Sequence, residues 1–146
     1  MSNKYADAIR KVITAYGKQK NFSSFLGRCN LVSAEKNRVK VEFTVTEDLT
    51  NGWQTLHGGC TATMVDMVTT AALYATDDKD VHPGVSVDMA LSYYGPANLG
   101  DTVILDATVI RKGRTLAYTK ADLYLKGSQK PIAFGTHTKA FPPVKQ

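Results

Sequence analysis

Asn51-Gly52-Trp53-Gln54-Thr55-Leu56-His57-Gly58-Gly59-Cys60-Thr61-Ala62-Thr63-Met64-Val65-Asp66 is the stretch on which the reading turns. A glycine pair opens a run that is apolar almost throughout, and Asp66 is the one charge between residues 58 and 76. Met64, Val65, Met67, Val68, Ala71, Ala72 and Leu73 cover most of the circumference, which predicts a central helix over 58–76 buried on most sides. A carboxylate in such a helix costs several kcal/mol unless it is neutralised, hydrogen-bonded or put to use. Burial favours its neutral form, and nearby donors favour the anion that could act as a base. Asp66 is therefore the first functional candidate.

Outward from this helix, the pattern changes period. Residues 3–19 carry Tyr5, Ala8, Ile9, Val12, Ile13 and Tyr16 at helical spacing, within an amphipathic N-terminal segment of residues 1–20 that Gly17 ends. Cys29 to Ser33 reads as a short strand, and Val39, Val41, Phe43 and Val45 alternate with Lys40, Glu42 and Thr44. After the helix and the solvated Asp77-Asp78-Lys79-Asp80, alternation returns in Val85, Val87, Met89, Leu91 and Tyr93. Three more strands fit residues 102–112, 114–126 and 131–139, with hairpin turns at Lys112-Gly113-Arg114 and Gly127-Ser128. Short connections favour antiparallel neighbours. The predicted class is α+β: a curved antiparallel sheet wrapped around one long helix, with an extra N-terminal helix, in a single domain over residues 1–146.

Composition narrows the function. Cys29 and Cys60 are too few for a disulfide framework. No segment approaches the roughly 18 apolar residues of a membrane span, and a signal-peptide core is lacking, so a soluble cytoplasmic protein is expected. The basic, amphipathic start leaves the mitochondrion as the alternative. The net charge is +5, and residues 1–40 hold nine Lys/Arg against Asp7 and Glu35; a solvated surface accounts for this more simply than nucleic acid. His57, His82 and His137 are scattered, and the cysteines lack metal-ligand spacing. P-loop and dinucleotide fingerprints are absent.

The helix start offers unpaired N–H groups and the positive end of the dipole, which can hold an oxyanion; equally, the glycine pair could simply start the helix or pack on a strand. Gly58 and Asp66 are eight residues apart, about 12 Å along a helix. They cannot serve one small reacting group within a chain. Two helices packed antiparallel across a two-fold axis could bring the start of one to the Asp66 of the other, so a functional Asp66 predicts an oligomer.

The run from His57 to Asp66, Asn51 six residues before the histidine, and Pro83-Gly84-Val85-Ser86-Val87-Asp88-Met89 resemble the hotdog-fold acyl-CoA thioesterases. The likeness extends over nearly the whole chain and is greatest to the animal thioesterase superfamily branch, related to bacterial phenylacetyl-CoA-type thioesterases. It implies hydrolysis of medium- or long-chain fatty acyl-CoA to free acid and CoA in lipid metabolism. Asp66 would be general base or nucleophile, with Ser86 positioning the attacking water. The Gly58 N–H would polarise the carbonyl, and Asn51 and His57 of the opposite subunit would orient the acyl group and sulfur. The coenzyme groove would comprise Tyr93, Tyr94, Gly95, Pro96, Ala97 and Asn98, together with Arg111, Lys112, Gly113, Arg114, Thr115 and Leu116. Without the resemblance, the three hairpin cations read as a solvated turn.

The resemblance further implies no metal or redox cofactor, coenzyme A being part of the substrate, and a homotetramer built from two hotdog dimers. Asp88 competes for the acid role, although strict alternation places it on Ser86's side of the strand. Trp53 is bulky where relatives carry smaller residues and could reshape the acyl entrance. The alternatives are an aryl-acyl-CoA thioesterase, a non-catalytic acyl-CoA or lipid-binding protein, and a hotdog dehydratase or hydratase.

Overall fold

The computed structural model describes residues 3–143; the predicted domain's outermost residues, 1–2 and 144–146, lie outside the described residues. Helix α1 spans Lys4–Gly17, helix α2 Gly58–Ala72, and six strands follow the predicted order: β1 Asn30–Glu35, β2 Arg38–Thr44, β3 Val85–Tyr93, β4 Thr102–Lys112, β5 Leu116–Leu125 and β6 Pro131–Ala140. They form one antiparallel sheet in the order β1-β2-β4-β5-β6-β3.

Residue size explains how the sheet receives its helix. Val39, Val41 and Phe43 of β2 and Val103, Leu105, Ala107 and Val109 of β4 are buried on the inner face. Across β5 and β6 that face is lined by small residues, Ala117, Ala121, Ala133 and Gly135, which leave room for α2. At Gly135 the fit is tight, since a Cβ there would stand 3.0 Å from Val65 Cγ1. Met64, Val65 and Val68 of α2 are fully buried, each contributing about 1.5 to 3 kcal/mol of apolar burial.

Helix α1 begins at Asn3, whose side chain accepts from the Ala6 N–H at 2.8 Å and donates to the Ala34 carbonyl at 3.1 Å. It buries Ala6, Ile9 and Val12. Gly17 ends it as predicted, and its backbone packs against that of Gly27: a Cβ at Gly17 would lie 3.0 Å from the Gly27 Cα, and one at Gly27 2.7 Å from the Gly17 Cα. Gly27 belongs to a 3-10 segment, Phe22–Arg28, that the apolar periodicity had not revealed.

Several boundaries move. Helix α2 stops at Ala72 rather than residue 76, because the chain tightens there: Tyr74 N–H bonds to the Ala71 carbonyl and Ala75 N–H to that of Ala72, both three residues back. Strand β1 starts at Asn30 and runs to Glu35, and β5 starts at Leu116 rather than residue 114. The β4–β5 hairpin closes through the Gly113 N–H to the Leu116 carbonyl, so the turn is Arg114-Thr115.

Strand β3 is an edge strand with residues exposed on both faces, including Val85, Val87, Met89 and Tyr93. A long apolar edge of this kind presents unpaired backbone groups ready to pair with another strand. The basic surplus of the first forty residues is largely spent in ion pairs, with Lys4 and Lys36 on Asp77, Arg28 on Asp48, and Arg38 on Asp106. Lys36, Lys4 and Tyr5 together hold the Asp77 carboxyl well below the usual carboxylate range.

Candidate active site

The start of α2 is built from side chains that cap it. His57 is the N-cap, with extended backbone, and its Nδ1 accepts the Gly59 N–H at 2.8 Å. With Nδ1 used as an acceptor, the neutral ring carries its hydrogen on Nε2, which makes the exposed edge of His57 a donor. A Cβ on Gly59 would crowd this cap, standing 3.0 Å from His57 Nδ1. Gly58 is different. A Cβ on it would make only ordinary contact with the Tyr93 ring, 3.5 Å or more away, so packing within the protomer does not demand glycine.

The Gly58 carbonyl accepts from the Tyr93 hydroxyl at 2.8 Å, which ties the end of β3 to the beginning of α2. Asn51, in the loop that leads into α2, organises that loop: its Oδ1 accepts from the Trp53 N–H at 2.9 Å and the Thr55 N–H at 3.2 Å, while Nδ2 donates to Thr55 Oγ1 at 2.8 Å. Its second amide hydrogen is uncommitted among the described residues.

Two turns along α2, Asp66 is half-buried and lines a cleft of about 260 Å³ with Val12, Tyr16, Ser23, Leu26, Met67, Thr70, Ala71, Pro83, Gly84 and Lys139. Among the described residues no side chain hydrogen-bonds to its carboxylate. Gly84 takes φ +67° beside it, and a Cβ would lie 2.6 Å from the Ala140 carbonyl oxygen. That position needs glycine on both counts.

Behind the cleft lies a polar cluster that was not anticipated. His137, only 1% exposed, has Nδ1 2.8 Å from Thr69 Oγ1 and Nε2 2.8 Å from Ser86 Oγ. Thr69 also donates to the Val65 carbonyl at 2.7 Å, and Thr119 donates to the His137 carbonyl at 2.7 Å. Lys139, 4% exposed, donates to Thr70 Oγ1 at 2.7 Å. Burial holds the Lys139 ammonium below its ordinary 10.5, with Asp66 pulling the other way. Burial likewise pushes His137 below 6.5; Asp66 and Asp88 oppose this and Lys139 adds to it.

The signal for these residues was present in β6, where His137 and Lys139 continue the inner-face period set by Ala133 and Gly135. Polar side chains at core positions mark a structural or functional site.

The predicted site residues fall into separate groups. Asp66 and Ser86 share the His137 end, while Asn51, His57, Gly58 and Tyr93 share the helix-start end. The two predicted coenzyme segments are also apart. Residues 93–98 lie with the helix start, through the Thr55–Asn98 bridge, whereas residues 111–116 sit at the far end of the sheet, where Leu116 pairs with Ala140 and Ala140 with Val85. One protomer does not bring them together into a single groove. Lys112 is committed to Asp78 at 2.6 Å, leaving Arg111 and Arg114 as the exposed cations of the hairpin.

Asp88 departs from the alternation. A register shift between Ser86 and Asp88 sets Ser86 opposite Lys139 on the inner face and Asp88 opposite Thr138 on the outer one. Trp53 is 86% exposed on its loop and does not line the Asp66 cleft. No group of three or more His, Cys, Asp or Glu among the described residues is placed to hold a metal, and no helix there is long and apolar enough to cross a membrane.

A model of the Thioesterase superfamily matches residues 54–132. Human acyl-coenzyme A thioesterase 13 is 47% identical over 132 residues, covering 90% of this chain and 93% of that protein. The crystal structure of zebrafish thioesterase superfamily member 2 superposes with a TM-score of 0.86 at 38% identity, covering 93% of this chain and 97% of that one. The E. coli PaaI protein from the phenylacetic acid degradation operon is alike in fold, with a TM-score of 0.74 at 21% identity over 94% of this chain and 95% of that one. The sheet wrapped around α2 is the hotdog fold.

Proposed function

Because the chain belongs to the thioesterase superfamily, we propose that it hydrolyses acyl-CoA to free acid and CoA in sites assembled across two copies of the chain. The observation that carries this reading is the placement of Asp66 with Ser86 at one end of α2 and of Gly58, His57 and Asn51 at the other, beside an exposed edge strand. If β3 pairs antiparallel with the β3 of a second copy, the Tyr93 end of one strand lies beside the Ser86 end of the other. Tyr93 is bonded to Gly58, so the helix start follows it towards the partner's Asp66. Two equivalent sites result, and two such dimers make the tetramer.

In this arrangement Asp66 takes a proton from a water held by Ser86, and the hydroxyl oxygen adds to the thioester carbonyl. The Gly58 N–H of the other copy stabilises the oxyanion, an effect commonly worth about 3 to 4 kcal/mol per donor. Collapse breaks the C–S bond, and the thiolate leaves beside the His57 Nε2–H. The reaction needs no metal or redox cofactor. Arg111 and Arg114 offer cations for the coenzyme phosphates. The apolar walls of the Asp66 cleft support a fatty acyl substrate of medium or long chain.

The test is release of free thiol from aliphatic and aryl acyl-CoA esters by wild type and by Asp66→Ala. Undiminished hydrolysis by the variant refutes the mechanism. Co-assembly of Asp66→Ala with Asn51→Ala chains tests the composite site. Random pairing leaves one intact site in half of the dimers, so about one quarter of wild-type activity should return. No recovery above the parent variants would place each site within one chain.

A further inference from the structure

The imidazole of His137 lies between two hydroxyls, and the proton count of the first fixes the direction of the second. Thr69 has one hydroxyl hydrogen, and the 2.7 Å contact with the Val65 carbonyl uses it. Towards His137, 2.8 Å away, Thr69 Oγ1 can then only accept. Nδ1 of His137 must carry a hydrogen, and a neutral ring leaves Nε2 bare. The bond at 2.8 Å to Ser86 Oγ is therefore donated by serine.

Resting on the proposed role of Ser86 towards the attacking water, we propose that His137 is a positioning residue that fixes the Ser86 hydroxyl as an acceptor. With its hydrogen turned to His137, Ser86 presents lone pairs to the water and cannot donate to the Asp66 carboxylate. The water then gives one hydrogen to Asp66 and the other to Ser86. Its own lone pair is left for the carbonyl carbon. The ring is held for this task on three sides: by Thr69 of α2, by Ser86 of β3, and through its own carbonyl by Thr119 of β5.

Two conservative variants separate this role from packing. In His137→Asn the amide nitrogen takes the place of Nδ1 and keeps the bond to Thr69, but the acceptor for Ser86 is gone. In His137→Gln the amide oxygen reaches the place of Nε2 and keeps Ser86, but the bond to Thr69 is lost. The expected result is a kcat lower by about 10- to 100-fold in His137→Asn, with KM changed less than about threefold, and a much smaller loss in His137→Gln. Because His137 acts through Ser86, the double variant Ser86→Ala/His137→Asn should be no slower than the slower single variant.

Equal losses in the Asn and Gln variants, or losses that multiply in the double variant, overturn the assignment. Should the Asn variant not fold, Thr69→Val against Thr69→Ser decides, with a loss of kcat expected in Val alone and equal activities refuting the relay. If Ser86→Ala hydrolyses at the wild-type rate, the reading of Ser86 itself fails. If it is slow while His137→Asn is not, only the role of His137 fails.

Discussion

Gly58→Ala separates the packing of the helix start from its chemistry. A Cβ built on Gly58 meets the Tyr93 ring at 3.5 Å and its hydroxyl at 3.6 Å, both ordinary contacts, whereas glycine in a helix is about 0.5 to 1 kcal/mol less favourable than alanine. The substitution should leave the protomer unchanged or up to about 1 kcal/mol more stable, a rise of as much as roughly 2 to 4 °C in Tm for a chain of this size. Gly59→Ala is the control. Its Cβ would lie 3.0 Å from His57 Nδ1 and 3.2 Å from Cε1, so the ring must turn and the cap bond is lost at about 1 kcal/mol, offset by a similar gain in helix propensity. Activity should respond differently. On the proposed mechanism a methyl group at position 58 obstructs the approach of the substrate to the N–H, and loss of one oxyanion donor commonly lowers kcat by about 100- to 1,000-fold. Thermal unfolding read beside thiol release from an acyl-CoA decides the matter. A Gly58→Ala chain that hydrolyses within about threefold of wild type would refute the oxyanion role, and a Tm lowered by more than about 4 °C would show that packing demanded the glycine after all.

The remaining predictions concern the cleft and its titration. Gly84→Ala combines a left-handed backbone, φ +67°, with a Cβ 2.6 Å from the Ala140 carbonyl oxygen; a loss of about 2 to 5 kcal/mol is expected, and an unchanged Tm would contradict it. Stability should fall in two stages on acidification. The unfolded chain protonates His137 near its ordinary 6.5 while the folded chain, its imidazole buried, does so only at lower pH, so that contribution is present above 6.5 and is lost as pH falls through the folded value. The second stage comes below the ordinary carboxylate value of 3.8, as Asp48, held down to about 2 by Arg28 and Thr46, and Asp77, held low by Lys36, Lys4 and Tyr5, become protonated. Denaturant midpoints across pH should show the first stage abolished in His137→Gln; its persistence would assign that stage to another group.

Legibility differs between the fold and the site. Period-two runs such as Val39-Val41-Phe43 announce their strands because one face is buried and the other wet. The all-round apolarity of residues 58–72 announces a helix enclosed by the sheet. The 3-10 segment at Phe22–Arg28 escaped because short tight helices carry no apolar period of their own. Ser86 was read through its motif, but the residue that holds it, His137, lies fifty-one positions away and meets it only because β3 and β6 are neighbours. Asp88 shows the opposite error: alternation assigned it to Ser86's face, and one extra residue in the ladder moved it to the other side.

By itself the sequence determined the two helices and six strands, their order, the inner and outer faces where alternation is unbroken, and a spacing along α2 that keeps Gly58 and Asp66 about 12 Å apart. These are local properties, set by backbone periodicity and by the transfer of apolar side chains out of water. Tertiary structure alone decided the strand order β1-β2-β4-β5-β6-β3, and with it the position of β6 beneath α2 and of β3 at an open edge. Strand pairing joins residues far apart in the chain, and periodicity tells which way a side chain faces without telling what it faces. That is why Asp66 could be singled out from its surroundings in sequence, while the period of β6 marks His137 and Lys139 only as polar residues on the inner face, and their meeting with Thr69, Ser86 and Thr70 became visible only once the sheet had folded against the helix.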